Sequence, residues 1–140
     1  MRDKYEVEFD RAMKDLARVG GTKGLSDASL NIAEGMRDEM RAKAPLGEEI
    51  TFVGNHEIHP GDLRRGIVAK KFKSRGESLS FVAIDYSIAP HAHWVEYGHG
   101  GPRPAKAHKY FRPVADRYIR GEYFNKMRPH IEKEIDKAWR

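Results

Sequence analysis

A chain of 140 residues with 39% hydrophobic and 34% charged residues has the length of one domain and little core for its surface. With no cysteine, it excludes disulfides, thiolate chemistry and cysteine-ligated zinc. The formal charge of +5 permits contact with nucleic acid or an acidic protein, yet 21 acidic residues are interspersed among 26 basic ones, which argues against a dedicated DNA-binding face.

No apolar run approaches a membrane span, and the start MRDKYEVEFD is charged where a signal peptide needs an apolar core, so the chain reads as soluble and made without export. From Tyr5 to Val19, Phe9, Met13 and Leu16 recur at helical spacing and predict a short amphipathic helix. Gly20, Gly21 and Gly24 follow as a joint, making residues 1–24 an N-terminal arm able to pack against a neighbour.

Ser26 or Asp27 is the expected cap of a second helix, with Ala28, Ile32, Met36 and Met40 as its apolar stripe and Pro45 as its stop. The methionines read as core, not as an adaptable binding surface. Residues 46–60 carry weaker signals: Ile50 to Val53 as a short strand, Gly54-Asn55 as a turn, and the whole as a projecting hairpin or loop. Two β-rich runs come next, Gly66 to Lys73 and Leu79 to Tyr86, joined through Ser74-Arg75-Gly76-Glu77 as an antiparallel hairpin. The second run is apolar on both faces and reads as a covered strand; Lys70, Lys71 and Lys73 put the first nearer solvent.

The segment His91 to Asp116 crowds aromatics, histidines, glycines and prolines into one stretch, which reads as two packed anchors around a projecting loop. Trp94, Tyr97, Tyr110 and Phe111 are the expected anchors, with Gly98 and Pro113 punctuating the backbone. Beyond it, Val114 to Arg120 reads as helical, Gly121 as a break, and the last helix carries Phe124, Met127, Ile131, Ile135 and Ala138 on one face, with Asn125 as cap, Pro129 near the first turn, and Trp139 as a terminal anchor. The sum is an α+β domain spanning 1–140: a small antiparallel β-sheet packed with amphipathic helices, a projecting loop and an N-terminal arm.

Three chemistries compete for the His91–Asp116 segment. His91, His93, Glu96 and His99 are candidate metal ligands for a hydrolase, since alternate histidines on a strand face one way; they match no zinc signature. Glu96 with His99 is a candidate acid–base pair beside Ser87 or Ser80, but no nucleophile turn surrounds either serine. The favoured reading is structural: Glu96 bonds backbone amides or an arginine such as Arg103 or Arg112. Arg103, Lys106, His108 and Lys109 then form an assembly loop, also suited to phosphates as a basic nucleic-acid-associated surface. No cofactor motif is present, and no metal site is assigned.

The order of motifs resembles a family of neck or tail-completion proteins of long-tailed bacteriophages, described as minor tail components. In that family a helix ends in Ala-Pro, Thr-Gly-x-Leu-Arg-x-Ser-Ile enters the first long strand, Val-Glu-x-Gly-Thr follows the sheet, and Pro-Phe-x-x-Pro-Ala opens the next helix. Here the places are taken by Ala44-Pro45, by Gly61-Asp62-Leu63-Arg64-Arg65-Gly66-Ile67, by Trp94-Val95-Glu96-Tyr97-Gly98, and by Tyr110-Phe111-Arg112-Pro113-Val114-Ala115. Pro60 replaces the first threonine, Gly66 the serine and His99 the second threonine, and Leu46 to His59 is inserted.

The resemblance implies a structural virion protein at the head–tail joint, made in the bacterial cytoplasm and without catalytic turnover. It implies a homo-oligomeric ring between the head-closure connector and the tail tube or tail terminator, with DNA passing through and touched at its backbone only. A closed ring requires one surface of each copy to complement a different surface of the next, and the N-terminal arm and the 46–60 loop are the expected pair of contact regions.

Overall fold

A computed structural model describes residues 4–20, 23–74 and 77–138. The expected Trp139 anchor, Gly21 of the joint and Arg75-Gly76 of the turn lie outside these residues. The side chains of Tyr5, Leu16 and Leu79 lie outside the description too. The architecture is α+β, with amphipathic helices packed on small antiparallel strand pairs.

The organising element is the helix α2 (Lys23–Lys43), preceded by α1 (Lys4–Gly20). Ala28, Ile32 and Met40 are buried and Met36 partly so, as four-residue spacing on one face requires. The helix begins before the expected cap, so Ser26 and Asp27 sit inside it. Asp27 instead reaches across to Lys71 at 3.0 Å, and that hydrogen bond holds its carboxyl below its ordinary pKa. Gly24 lies in the first turn and does not break the helix; an added Cβ there would meet the Glu134 carboxylate.

One side of α2 packs on the hairpin β3 (Ile67–Ser74) and β4 (Glu77–Ile84), paired Ile67 to Ile84 and Ala69 to Val82. Ile67, Val82 and Ile84 turn toward α2 and the core, whereas Phe72 and Phe81 on the other face are exposed. The expectation of a strand covered on both faces is therefore corrected: α2 covers one face of this hairpin, and on the other Lys70, Phe72 and Phe81 are exposed while Val68 and Ala83 are half-buried. Of the three lysines, Lys70 and Lys73 are exposed and Lys71 is held by Asp27.

Between α2 and β3 the chain forms β1 (Thr51–Val53) and β2 (His56–Ile58), a hairpin paired Thr51 to Ile58 around Gly54-Asn55. The one-turn helix α3 (Asp62–Gly66) follows, where the motif reading carried the chain straight into the strand. Asp62 accounts for the turn, since its carboxylate accepts the His59 N–H at 2.7 Å and pairs with Arg65. Gly66 has no room for a Cβ, which would lie 2.6 Å from Ala89 Cβ. Two arginines tie this turn to the end of α2: Arg64 Nε donates to Ala44 O at 2.9 Å, and Arg41 donates to Ile67 O at 2.6 and 3.0 Å.

The chain then forms α4 (Ala92–Tyr97), α5 (Arg112–Arg117), a π-helical segment Tyr118–Glu122 kinked at Gly121, and α6 (Tyr123–Ala138). α6 packs on α2 through Met127 and Ile131. It begins ahead of Asn125, which is no cap, and Pro129 is consequently its seventh residue, inside the helix. Phe124 is exposed at the edge of the apolar face, with the Arg128 guanidinium 5.2 Å from its ring. Among the described residues, no helix is long and apolar enough to cross a membrane.

Candidate functional site

The segment from His91 to Asp116 is built on α4, and this changes which side chains point inward. Residues four apart share a helix face, so Ala92 and Glu96 turn to the core, at 1% and 4% exposure. A strand aligns residues two apart; a helix separates them by about 200°. His91 and His93 therefore part company, His91 beside a cleft and His93 against the Tyr97 ring at 4.9 Å. His99 turns back to Gly100 O at 3.1 Å. Among the described residues, no three His, Asp or Glu side chains converge as metal ligands.

The same geometry corrects two expected anchors. Trp94 and Tyr97 lie away from the inward Ala92–Glu96 face and are 46% and 52% exposed. Tyr110 is the anchor instead, 1% exposed, with its hydroxyl donating to Ala92 O at 3.0 Å. Burial raises its phenol well above the ordinary tyrosine range, with the nearby Glu96 charge adding to the shift. Phe111 is partly buried against the core, and Pro113 is exposed at the first turn of α5.

Glu96 holds the segment together. Its Oε2 accepts the N–H groups of Tyr110 at 2.9 Å and Phe111 at 3.0 Å, and its Oε1 accepts that of Arg112 at 2.9 Å. The first amides of a helix have no partner within it, so the carboxylate from α4 serves as the missing cap of α5. Of the two partners weighed for Glu96, backbone amides and an arginine side chain, the amides hold it.

Below the loop, Gly98 adopts φ 74°, and a Cβ there would lie 2.8 Å from both Ala105 O and Ala107 N. That close approach lets His99 and Ala105 exchange two backbone hydrogen bonds, at 3.0 and 2.9 Å, which closes the loop at its base. The tip around Arg103 projects, and Arg103, Lys106 and Lys109 are exposed. His108 is tied to the body: its N–H donates to Val95 O at 2.8 Å, and its Nε2 lies 3.2 Å from Lys43 O.

A cleft of about 700 Å³ opens between this loop, α4 and the β1–β2 hairpin. Phe52, Ile58, Trp94 and Val95 give it an apolar wall, and Arg103 and Lys106 a basic rim. Among the described residues, no carboxylate lines it; Glu48 and Glu49 line the adjoining cleft, which shares Thr51, Ile58, His91 and Val95. His91 Nδ1 is buried with no hydrogen-bond partner among the described residues, and burial lowers the imidazole pKa despite the opposing pull of Asp62.

Sequence reasoning placed Arg103 and Lys106 in a partner loop but missed that Phe52 of the hairpin faces the same cleft. The available signal was Phe52 itself, an aromatic in a short polar-flanked strand ending at Gly54-Asn55, where no local core covers it. No family model, curated sequence or solved structure matches this chain.

Proposed function

We propose that this protein is a structural subunit of the neck of a long-tailed bacteriophage, assembling as a ring that joins the head connector to the tail and lets DNA pass. The observation that carries the assembly role is the amount of large apolar side chain left at the surface: Phe9, Phe52, Phe72, Phe81, Trp94 and Phe124 are all exposed. Scattered single exposures are ordinary, but Phe52 and Trp94 share one cleft, and Phe72 and Phe81 lie on the outer face of one hairpin. Such faces gain stability when a partner covers them.

The neck assignment rests on the ordered motifs from Ala44-Pro45 to Tyr110-Phe111-Arg112-Pro113. Two of those motifs meet physically, because Glu96 of the third binds the amides that open the fourth. The exposed Arg103, Lys106 and Lys109 suit contact with the DNA backbone without reading sequence. Assembly, not chemical turnover, is the mechanism in this reading.

The test is to label purified virions of the encoding virus with an antibody to this chain and image them by electron microscopy. Label at the head–tail joint is the expected result. Virions that carry the chain elsewhere, or not at all, overturn the neck assignment.

A further inference from the structure

The cleft has a counterpart on the same chain. Along α1, at about 100° per residue, Phe9 and Met13 fall within about 40° of each other. Both are exposed, at 65% and 50%. On the same wheel Glu6 lies about 60° from Phe9 on one side and Glu8 about 100° on the other, while Arg11 and Lys14 lie about 140–160° away. Glu6 lies about 20° beyond Met13, Glu8 and Lys14 each lie about 100° from the nearer of the two apolar residues on opposite sides, and Arg11 is on the far face, so the outer stripe of α1 is apolar with a margin that is acidic on balance. The cleft has the opposite character, an apolar wall with a basic rim.

These two surfaces lie in different places. α1 packs against α6, and its described residues take no part in lining the cleft. We propose that α1 of one copy docks into the cleft of the next. Phe9 and Met13 enter against Phe52 and Trp94, and Glu6 and Glu8 meet Arg103 and Lys106. Its choice of a second copy as the occupant rests on the assembly reading above. Each subunit gives one helix and receives one, a heterologous contact that closes into a ring when the rotation between copies divides a full turn.

Charge and size both favour this occupant. The cleft falls within the roughly 300–1,000 Å³ range of pockets that enclose a compact ligand, room for two large side chains entering from a helix. A nucleic-acid strand would satisfy Arg103 and Lys106 but leave Phe9 and Met13 in water. A second copy covers both apolar surfaces at once.

The test is a charge swap in the full-length chain, read by sedimentation equilibrium. One variant carries Glu6→Arg and Glu8→Arg, a second carries Arg103→Glu and Lys106→Glu, and a third carries all four changes. All four side chains are exposed, so the variants are expected to keep the wild-type circular dichroism and melting temperature. Each one-sided reversal is expected to weaken self-association by about tenfold or more, and the four-fold variant, or an equimolar mixture of the two one-sided variants, to restore it.

Association unchanged by either one-sided reversal overturns the docking, as does a folded four-fold variant that stays dissociated. So does a wild-type chain that remains monomeric at about 1 mM. Oligonucleotide binding lost on reversing Arg103 and Lys106, with self-association intact, would assign the cleft to nucleic acid instead. The virion labelling is independent: label at the joint with harmless reversals removes only the docking, and a working swap with no label there removes only the neck.

Discussion

Glu96 Oε2 accepts the backbone N–H of Tyr110 at 2.9 Å, fixing a buried carboxylate of α4 to the chain fourteen residues further on. Through this bond and its two neighbours, the short helices α4 and α5 hold one another and the loop between them.

Glu96→Gln replaces one acceptor oxygen by an NH₂ group that faces a backbone N–H. The loss of at least one charge-assisted bond and the clash of donors are expected to destabilise the fold by about 2–4 kcal/mol. Urea denaturation checks this, and a change within about 0.5 kcal/mol would show that the amides find water instead.

Tyr110→Phe removes the bond to Ala92 O while keeping the ring, at a cost of about 1 kcal/mol. Its phenol has a folded-state pKa raised above the ordinary 10.0, so the unfolded chain releases this proton first. The Tyr110 contribution is therefore intact below pH 10 and declines as pH rises above it. Denaturation midpoints followed from pH 9 to pH 11, about one unit on each side of the ordinary tyrosine value, should fall less steeply in Tyr110→Phe than in wild type.

Asp62 is the acidic counterpart. Its pKa is lowered chiefly by the His59 N–H, with Arg65 assisting. A depressed carboxyl contributes stability above its unfolded value, and that contribution fades as pH falls through the folded one. Asp62→Asn is expected to cost about 1–3 kcal/mol at neutral pH and to narrow its deficit below about pH 4. Thermal melts of the two proteins from neutral pH down to acid give the comparison, and a deficit that stays constant would refute the ionic role.

Gly98→Ala strains the backbone twice, through its positive φ and through contact with the peptide at Ala105 and Ala107. A loss of about 1–3 kcal/mol is expected, with faster amide exchange at His99 and Ala105, whose paired bonds depend on that approach. Gly100→Ala is the control, since a Cβ there meets nothing within 4 Å.

Trp94→Ala is expected to cost about 1–2 kcal/mol, well short of the roughly 3–5 kcal/mol for Tyr110→Ala, because Trp94 is 46% exposed and Tyr110 1%. Equal losses in the two variants would restore Trp94 as an anchor of the fold.

Much of the frame was legible because it depends on periodicity. Ala28, Ile32, Met36 and Met40 name the buried face of α2 at four-residue spacing, and the runs Gly66 to Lys73 and Leu79 to Tyr86 name a hairpin that forms as Ile67–Ser74 and Glu77–Ile84. These patterns are local, and a helix or strand turns them into a face whatever surrounds it.

The site depended on contacts that residue spacing leaves open. His91 to Tyr97 is short enough to suit a strand or a helix, and the helix turned the expected anchors Trp94 and Tyr97 outward while Glu96 met the backbone amides expected of it. That choice is made by partners distant in sequence, the amides at Tyr110 to Arg112 and the Tyr110 hydroxyl on Ala92. The cleft is likewise a product of packing, since Phe52 and Arg103 come together only when the hairpin and the loop close over α4. Composition and periodicity thus account for the long helices, the hairpins and the α2 and α6 stripes of the core, because those follow from neighbours along the chain; the short helices, which polar groups are buried and which aromatics stay open follow from neighbours across space.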